Sequence, residues 1–226
     1  IDLTVRAGER LGVIGRTGSG KSTIAMLVPR LFDVTAGRVV VDGIDVREWD
    51  LEALRDQIGF VPQDPFLFSQ SIGENIEFAR DEVTTDEIAR VIEMSGLDSD
   101  LNEFPHGIET QVGERGITLS GGQKQRLTLA RAIAKNPKVI ILDDSLSSVD
   151  AATERRILDQ LESVLRGRTS IVISHRVSSV RRADQIVVVD DGRIVERGTH
   201  DELVRSDGLY ADLYRRQQIT EELEAM

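Results

Sequence analysis

The sequence predicts a protein of the α/β class, because strand-like and helix-like segments alternate at both ends of the chain. Short apolar runs, which are typical of buried parallel strands, lie at residues 10–14, 58–61, 139–142, 170–173 and 185–189. Between residues 65 and 135 the apolar residues are spaced mostly as in helices. We therefore expect a mixed α/β core that is interrupted by a helical insertion of about 70 residues.

Turn and capping signals place the remaining elements. Asp-Gly pairs at residues 42–43 and 191–192 predict two hairpins with primed turns. Thr85 is expected to cap a helix over residues 86–94, and a capping box from Thr199 to Glu202 is expected to start a C-terminal helix. Residues 1–5 look like a strand, and the acidic end from Thr220 is expected to be frayed. Further helices are predicted over residues 22–28, 51–57, 151–165 and 209–217.

Composition excludes several classes of protein. The chain has 226 residues, 28 of them basic and 39 acidic, and its formal net charge is −11. This charge argues against generic nucleic-acid binding, since phosphate contacts depend on a basic face. Because cysteine is absent, there is no disulfide framework, no cysteine metal site and no cysteine nucleophile. No apolar run approaches the ~20 residues of a membrane-spanning helix. Since Ile1 opens a strand-like segment, we expect a piece of a longer polypeptide.

Residues 15–22 carry the most specific motif, a match to G-x-x-x-x-G-K-[ST] between a buried strand and a helix. Its glycines let backbone N–H groups turn toward phosphate oxygens, and the helix start adds positive potential. Lys21, which we expect to face solvent before a nucleotide binds, would reach the β- and γ-phosphates, and the Ser22 hydroxyl would bind Mg²⁺. The predicted nucleotide-binding residues are Gly15, Arg16, Thr17, Gly18, Ser19, Gly20, Lys21, Ser22 and Thr23.

The strand at residues 139–142 ends in two carboxylates, Asp143 and Asp144. In an enzyme with a phosphate loop, a second strand carries an Asp that faces Mg²⁺, and Asp143 fits this role directly or through a water. Asp144 then takes the position of a general base or a water-orienting group. The alternative is an acidic strand end that faces solvent.

A glycine-containing segment precedes a helical stretch that runs to about Ala134, and it consists of Leu119, Ser120, Gly121, Gly122 and Gln123. Ser120 and Gln123 have the spacing of a capping box. A compatible functional interpretation is a second anion site, made by Ser120 and the N–H groups of the two glycines. Together with the phosphate loop and the Asp143 strand, this pentapeptide resembles the signature of the nucleotide-binding domains of ATP-binding cassette (ABC) proteins. The resemblance runs from about Asp2 to Tyr214.

The resemblance implies a single nucleotide-binding domain over residues 1–226, with a P-loop NTPase core, a mixed sheet, an antiparallel β subdomain and an inserted α-helical subdomain. Residues 1–64 and 136–218 would form the core, 65–135 the helical subdomain with the signature, and 219–226 a frayed acidic tail. The resemblance also implies an ATPase that binds ATP and Mg²⁺ and dimerises head to tail. Each ATP would lie between one domain's phosphate loop and the other domain's signature.

Further residues match motifs of the family. Gln63 matches the Q-loop glutamine, which touches Mg²⁺ and faces the transmembrane partner, and His175 matches the switch histidine near the γ-phosphate. Ser148 and Asp150 match the D-loop, which crosses to the opposing subunit. The resemblance thus implies that Asp144, His175 and Gln63 are catalytic and that Ser22, Gln63 and Asp143 contact the metal.

Asp144 departs from the family pattern, which has Glu at this position as the presumed general base. The carboxylate is retracted by one C–C bond, roughly 1.5 Å, and a displacement near 1 Å can cost about 10²-fold in rate. With an intact signature, this pattern resembles the degenerate-site half of a heterodimeric exporter. Its own site would hydrolyse ATP slowly, and its signature would serve a competent site in the partner. The alternative is a backbone adjustment that restores function.

The leading interpretation is an ATPase domain that powers substrate export at the cytoplasmic face of the cell (inner) membrane. Its expected partners are a second nucleotide-binding domain and a transmembrane domain on the same parent chain, with no nucleic acid. Residues 111–116 resemble the x-loop of exporters and argue against the next alternative, an importer subunit. A non-transport ABC ATPase acting on DNA or ribosomes is disfavoured, because the 57 positions from Gln63 to Ser120 leave no room for a long coiled coil. A regulatory nucleotide-binding module with little hydrolysis is the remaining alternative.

Overall fold

The structure is a computed structural model that describes residues 1–224 with the exception of Asp81, Ile117, Ser147 and Asp150. The chain forms two compact units: the first unit comprises residues 1–55 and the chain from Gly167 onward, and the second unit comprises residues 56–166. The strands are β1 (Arg10–Ile14), β2 (Val40–Val41), β3 (Ile44–Asp45), β4 (Ile58–Val61), β5 (Val139–Asp143), β6 (Thr169–Ser174), β7 (Gln185–Asp190) and β8 (Arg193–Gly198). The helices are α1 (Lys21–Leu27), α2 (Leu51–Asp56), α3 (Ile72–Glu77), α4 (Thr85–Met94), α5 (Asp98–Leu101), α6 (Gly121–Ala134), α7 (Ala151–Leu165), α8 (Val177–Val180), α9 (His200–Arg205) and α10 (Leu209–Glu224).

The first unit contains a group of strands in which β1 lies between β6 and β7. β1 runs parallel to both neighbours, and Ile14 is opposite Ser174 on β6 and Val188 on β7. β8 is antiparallel to β7, which makes the sheet mixed. Leu11, Val13 and Ile14 are almost fully buried, as expected of a central parallel strand. Because parallel strands end at the same edge, the loops that follow β1 and β6 leave the sheet side by side.

Both predicted hairpins form in the first unit. β2 and β3 pair antiparallel across Asp42 and Gly43, whose φ angles of 50° and 81° are those of a primed turn. Asp191 and Gly192 join β7 to β8 with φ angles of 45° and 71°. Positive φ at both central residues explains why the sequence uses Asp followed by Gly at each turn.

The second unit combines the parallel pair of β4 and β5 with most of the helices. Val61 is opposite Leu142 in this pair. α6 is the central helix of the unit: Leu127 and Ala130 are fully buried, and α3 and α4 pack against it. The unit is larger than the insertion expected over residues 65–135, since it also contains β4, β5 and α7.

The predicted fold class is confirmed, since the chain is α/β with a mixed sheet, a separate antiparallel pair and a largely helical segment from residue 65 to 135. Among the described residues, none of the helices combines the length and the apolar character that crossing a membrane requires.

Two local predictions are wrong. Residues 1–5 are not a strand, because the backbone ladder with β6 and β7 begins only at Arg10. Thr84 caps α4 in place of Thr85, because its hydroxyl is the one that accepts from the Glu87 N–H three residues later. The C-terminal helix α10 extends beyond the predicted residues 209–217 to Glu224, and fraying of the acidic end stays a prediction. Ala225 and Met226 lie outside the described residues.

Candidate functional site

The phosphate loop leaves the carboxyl end of β1 and returns into α1. A Cβ on Gly15 would lie 2.0 Å from the Val189 carbonyl oxygen, so only glycine fits where the loop crosses β7. Gly18 and Gly20 have φ angles of 80° and 99°, which L side chains rarely adopt. A Cβ on Gly18 would meet no atom within 4 Å, so the outer side of the loop is open. The glycines therefore serve close packing on one side of the loop and access on the other.

Lys21 is buried, with 9% of its surface exposed, and the expectation that it faces solvent is wrong. Its Nζ donates hydrogen bonds to the carbonyl oxygens of Gly15 at 2.9 Å and Arg16 at 2.8 Å. The loop thus curls around the ammonium group, because its carbonyl oxygens supply the acceptors that a buried cation needs. The result is a positive charge fixed inside the loop.

Ser19 adds a second donor to the loop. Its side chain is 5% exposed, and its hydroxyl has no hydrogen-bond partner among the described residues. Its main-chain carbonyl accepts from the Gly192 N–H at 3.0 Å, which ties the loop to the β7–β8 hairpin. A buried hydroxyl without a partner is costly and is explained by a ligand that supplies an acceptor. A phosphate oxygen fits this hydroxyl and the neighbouring ammonium group.

The other predicted residues of this loop lie at its surface. Arg16, Thr17 and Thr23 are exposed, and Ser22 is half-buried in the first turn of α1. Within the described part of the chain, no side chain caps the N-terminus of α1, whose N-cap is Gly20.

His175 follows β6 directly and lies at the same sheet edge as the phosphate loop. Ser174, the last residue of β6, is opposite Ile14, the last residue of β1. His175 itself is exposed. The Ser174 hydroxyl accepts from the Arg176 N–H at 3.0 Å, which holds the turn that presents the histidine. The first unit therefore brings together two of the predicted motifs.

The second unit holds the predicted acidic residues and Gln63. Asp143 ends β5 and is 3% exposed, whereas Gln63 lies two residues beyond β4 and is exposed. Because Val61 is opposite Leu142, Gln63 and Asp143 leave the same edge of the parallel pair. Asp144 is half-buried and has a φ of 46°, in the left-handed region that Asp adopts more readily than most residues.

The signature segment forms the start of α6. The Ser120 hydroxyl accepts from the Gln123 N–H at 3.2 Å, and the Gln123 amide oxygen accepts from the Ser120 N–H at 2.9 Å. This geometry confirms the predicted capping box. Ser148 of the predicted D-loop packs beside it, since a Cβ on Gly121 would lie 3.3 Å from the Ser148 Cβ. Asp150 lies outside the described residues.

A buried ion pair supports the signature, and sequence reasoning missed it. Asp100 and Arg126 are 8% and 9% exposed, and the Arg126 Nε and Nη2 each donate to the carboxylate at 2.8 Å. The Gln123 amide nitrogen donates to the same carboxylate at 3.4 Å. Asp100 therefore links α5 to Gln123, which forms the capping box with Ser120. The two ionic partners are 26 positions apart, and no spacing rule connects them.

An aromatic patch, made of Phe66, Phe68 and Phe78, is another feature that the sequence did not predict. Phe66 and Phe78 are 56% and 62% exposed, and Phe68 lies between them with ring centroids at 5.3 and 4.2 Å. Arg131 lies over the Phe68 ring and donates to the backbone and side-chain oxygens of Asn75. Burial lowers the pKa of Arg131 to about 10, so it stays charged at neutral pH. The aromatic patch therefore packs against Arg131 on one side and is open to solvent on the other.

Comparison with known proteins shows the family. The family described as ABC transporter matches residues 1–147. YgaD of Bacillus subtilis (strain 168), which is named as a multidrug export ATP-binding/permease protein, is 42% identical over 219 residues, or 97% of this chain and 38% of its own. ABC transporter B family member 21 of Arabidopsis thaliana is 42% identical over 223 residues, or 98% of this chain and 17% of its own.

A solved structure matches in fold as well as in sequence. It is that of a bacterial Atm1-family ABC exporter with ATP bound, with a TM-score of 0.90 and 42% identity over 94% of this chain and 38% of that one. The chain thus spans less than half the length of these relatives. Its fold, its phosphate loop and its signature segment agree with the match over residues 1–147, and the chain belongs to the ABC transporter family.

Proposed function

We propose that the chain binds ATP together with Mg²⁺ and hydrolyses it to drive export through a membrane. The observation that supports this most strongly is the donor set of the phosphate loop. It combines the buried ammonium group of Lys21, the Ser19 hydroxyl without an acceptor among the described residues, and the open side of the loop at Gly18. A polyanion with several acceptor oxygens is the ligand that suits these donors.

Lys21 acts in this proposal as a cation already in position. Its Nζ donates to the neutral carbonyls of Gly15 and Arg16. Phosphate oxygens carry charge and accept stronger hydrogen bonds than these carbonyls, so a bound phosphate competes for the ammonium group. Burial strengthens this attraction because the local dielectric constant is lower than that of water. Lys21 therefore contributes to ATP affinity and neutralises charge on the β- and γ-phosphates.

Ser22, Gln63 and Asp143 are the residues that we assign to Mg²⁺. Their hydroxyl, amide and carboxylate oxygens match the preference of this ion for oxygen ligands. When bound, Mg²⁺ neutralises charge that develops on the phosphoryl group. His175 donates a hydrogen bond to the γ-phosphate, and its exposure next to the phosphate loop leaves it accessible for this role. Asp144 orients the attacking water.

We further propose that this chain's own site hydrolyses slowly and that a partner domain carries most of the turnover. Asp144 has a φ of 46°, a left-handed conformation that Glu adopts less readily than Asp does. The short carboxylate therefore suits its backbone but reaches less far toward water. This supports a heterodimer in which the partner carries the longer acid.

The start of α6 is the surface that we propose for the partner's ATP. Ser120 and Gly121 are exposed, and the capping box holds the Ser120 hydroxyl in place. Gly122 is buried, but the N–H groups at a helix start, together with a hydroxyl, favour an anion. ATP held by one domain would thus be bound by the signature of the other, which links the two domains until hydrolysis removes the γ-phosphate.

A transmembrane domain is the second proposed partner. The relatives are more than twice as long as this chain, and the name of YgaD includes a permease part. We propose that the aromatic patch docks on that domain, because two phenylalanine rings more than half exposed on one surface are unusual unless a partner covers them. Docking there would hold the chain at the cytoplasmic face of the membrane.

The test is the ATPase rate of the transporter that carries Ser120→Arg. The added bulk and charge should block the surface for the partner's ATP and lower hydrolysis by about 10²-fold. Nucleotide should still bind to the altered chain, because its own phosphate loop is untouched. Glu103→Arg, which adds the same side chain at an exposed position of the second unit, is the control and should leave the rate unchanged. Full hydrolysis by the Ser120→Arg transporter would contradict the shared site.

A further inference from the structure

The loop that carries His175 is short and is fixed at both ends. Only His175 and Arg176 separate β6, which ends at Ser174, from α8, which begins at Val177. Two residues span at most about 7 Å, so the position of Val177 restricts where His175 can lie. The position of α8 therefore limits where the histidine can lie.

α8 is held at both of its ends, and its Ser179 hydroxyl also accepts from the Ser174 hydroxyl of β6 at 3.2 Å. At its end it packs against β1, where a Cβ on Gly12 would lie 2.9 Å from the Val180 Cβ. At its start the Val177 N–H donates to the side-chain oxygen of Gln217 at 2.7 Å, and the amide nitrogen of Gln217 donates to the Ser178 hydroxyl at 3.1 Å. Gln217 belongs to the C-terminal helix α10, 40 positions away from Val177.

α10 packs within the first unit, and this packing fixes the helix that carries Gln217. Tyr210 is fully buried, and its hydroxyl is 2.8 Å from the His200 Nδ1 of α9. The rings of Tyr214 and His200 form a T-shaped pair with centroids 5.1 Å apart. Tyr210, Tyr214 and Gln217 are spaced by four and three residues and therefore share one face of the helix. This face runs from the anchor to the start of α8.

We infer that Gln217 is a positioning residue for His175: its side-chain amide holds the start of α8 and thereby fixes the two-residue loop that presents the histidine to the nucleotide. The inference rests on the role proposed above for His175. It gives the C-terminal helix a part in hydrolysis, although that helix carries none of the family motifs. Gln217 would affect the rate of hydrolysis more than the affinity for ATP, because it bonds to Val177 and Ser178, the residues that directly follow the His175 loop.

The matched pair Gln217→Ala and Gln218→Ala tests the inference. Gln218 is the next residue on the same helix, is exposed, and bonds to Tyr214 within α10. Hydrolysis is measured at this chain's own site, in a transporter whose partner domain has lost its catalytic acid. In that background Gln217→Ala should lower kcat by about 10-fold and leave KM for ATP unchanged, since a displacement near 1 Å can already cost about 10²-fold in rate. Gln218→Ala should change neither value. Gln217→Glu should restore kcat, because its carboxylate accepts from the Val177 N–H and the Ser178 hydroxyl can reverse to donate.

The decisive comparison uses His175→Ala in the same transporter, in which only this chain's own site turns over. If Gln217 acts through His175, adding Gln217→Ala to His175→Ala should lower kcat no further. A full additional 10-fold loss in the double variant, or an unchanged kcat in Gln217→Ala, would overturn the inference. So would a normal kcat in His175→Ala, which would also remove the role proposed for the histidine. A lost ATPase activity in Lys21→Ala would still support the proposed function in that case.

Hydrogen exchange tests the contact independently of hydrolysis. In the 226-residue chain, Gln217→Ala should accelerate exchange of the Val177 amide by at least about 10-fold, and Gln218→Ala should not. The unfolding midpoints of both variants check that the fold is retained. Unchanged protection of Val177 in Gln217→Ala would show that Gln217 does not hold α8 and would overturn the inference whatever the ATPase data show.

Discussion

Asp100→Asn removes one charge from the buried ion pair beneath the start of α6. Asp100 accepts two hydrogen bonds of 2.8 Å from Arg126 and one of 3.4 Å from Gln123. Asn keeps one acceptor oxygen but leaves the guanidinium charge buried without a counter-charge. Breaking a buried pair from one side costs about 3–5 kcal/mol, and the retained hydrogen bond favours the lower end of that range. We therefore expect the free energy of unfolding to fall by about 3 kcal/mol.

Urea unfolding of the 226-residue chain, followed by circular dichroism, measures this loss. The double variant Asp100→Leu, Arg126→Met removes both charges and should be closer to the unmodified chain than Asp100→Asn is, because no buried charge remains unpaired. Asp212→Asn is the control: its partner Arg215 forms an exposed pair, and the unfolding midpoint should not change. A loss below about 1 kcal/mol in Asp100→Asn, or a larger loss in the double variant, would refute the reasoning.

Two further predictions concern the cap of α4 and the acid at the end of β5. Thr84→Ala should lower the free energy of unfolding by about 1 kcal/mol, whereas the neighbouring Thr85→Ala should cost little, because only the Thr84 hydroxyl accepts from the Glu87 N–H. Equal losses in a denaturant titration would place the cap elsewhere. Asp144→Glu should raise ATP hydrolysis at this chain's own site, by less than about 10²-fold because of the left-handed backbone, while Asp144→Asn should cost the transporter little. A near-complete loss in Asp144→Asn without a gain in Asp144→Glu would show that Asp144 is already a working base.

The sequence predicted those features whose cause is local. The strands β1, β4, β5, β6 and β7 were predicted within one residue at each end, because short apolar runs rich in Val and Ile are typical of strands buried on both faces. The phosphate loop and the capping box at Ser120 were equally visible, since both depend on residue types at fixed short spacing.

The features that escaped prediction depend on contacts between distant residues or on a choice between similar neighbours. Asp100 and Arg126 are 26 positions apart, and Gln217 and Val177 are 40 apart, so no periodicity connects them. The burial of Lys21 is another such feature. It results from the curl of the loop around the ammonium group, and the residue type alone does not predict it.

Binding of ATP with Mg²⁺ to the 226-residue chain tests the central claim most directly. Lys21→Ala should weaken the affinity by about 10- to 100-fold, since a hydrogen bond to a charged group contributes about 1.5–3 kcal/mol. Lys138→Ala removes an exposed lysine of the second unit and should bind like the unmodified chain. Unfolding curves of both variants check that Lys21→Ala retains its fold without the ammonium inside the loop. Equal affinity of the two variants, with Lys21→Ala folded, would contradict the assignment of residues 15–23 as the ATP site.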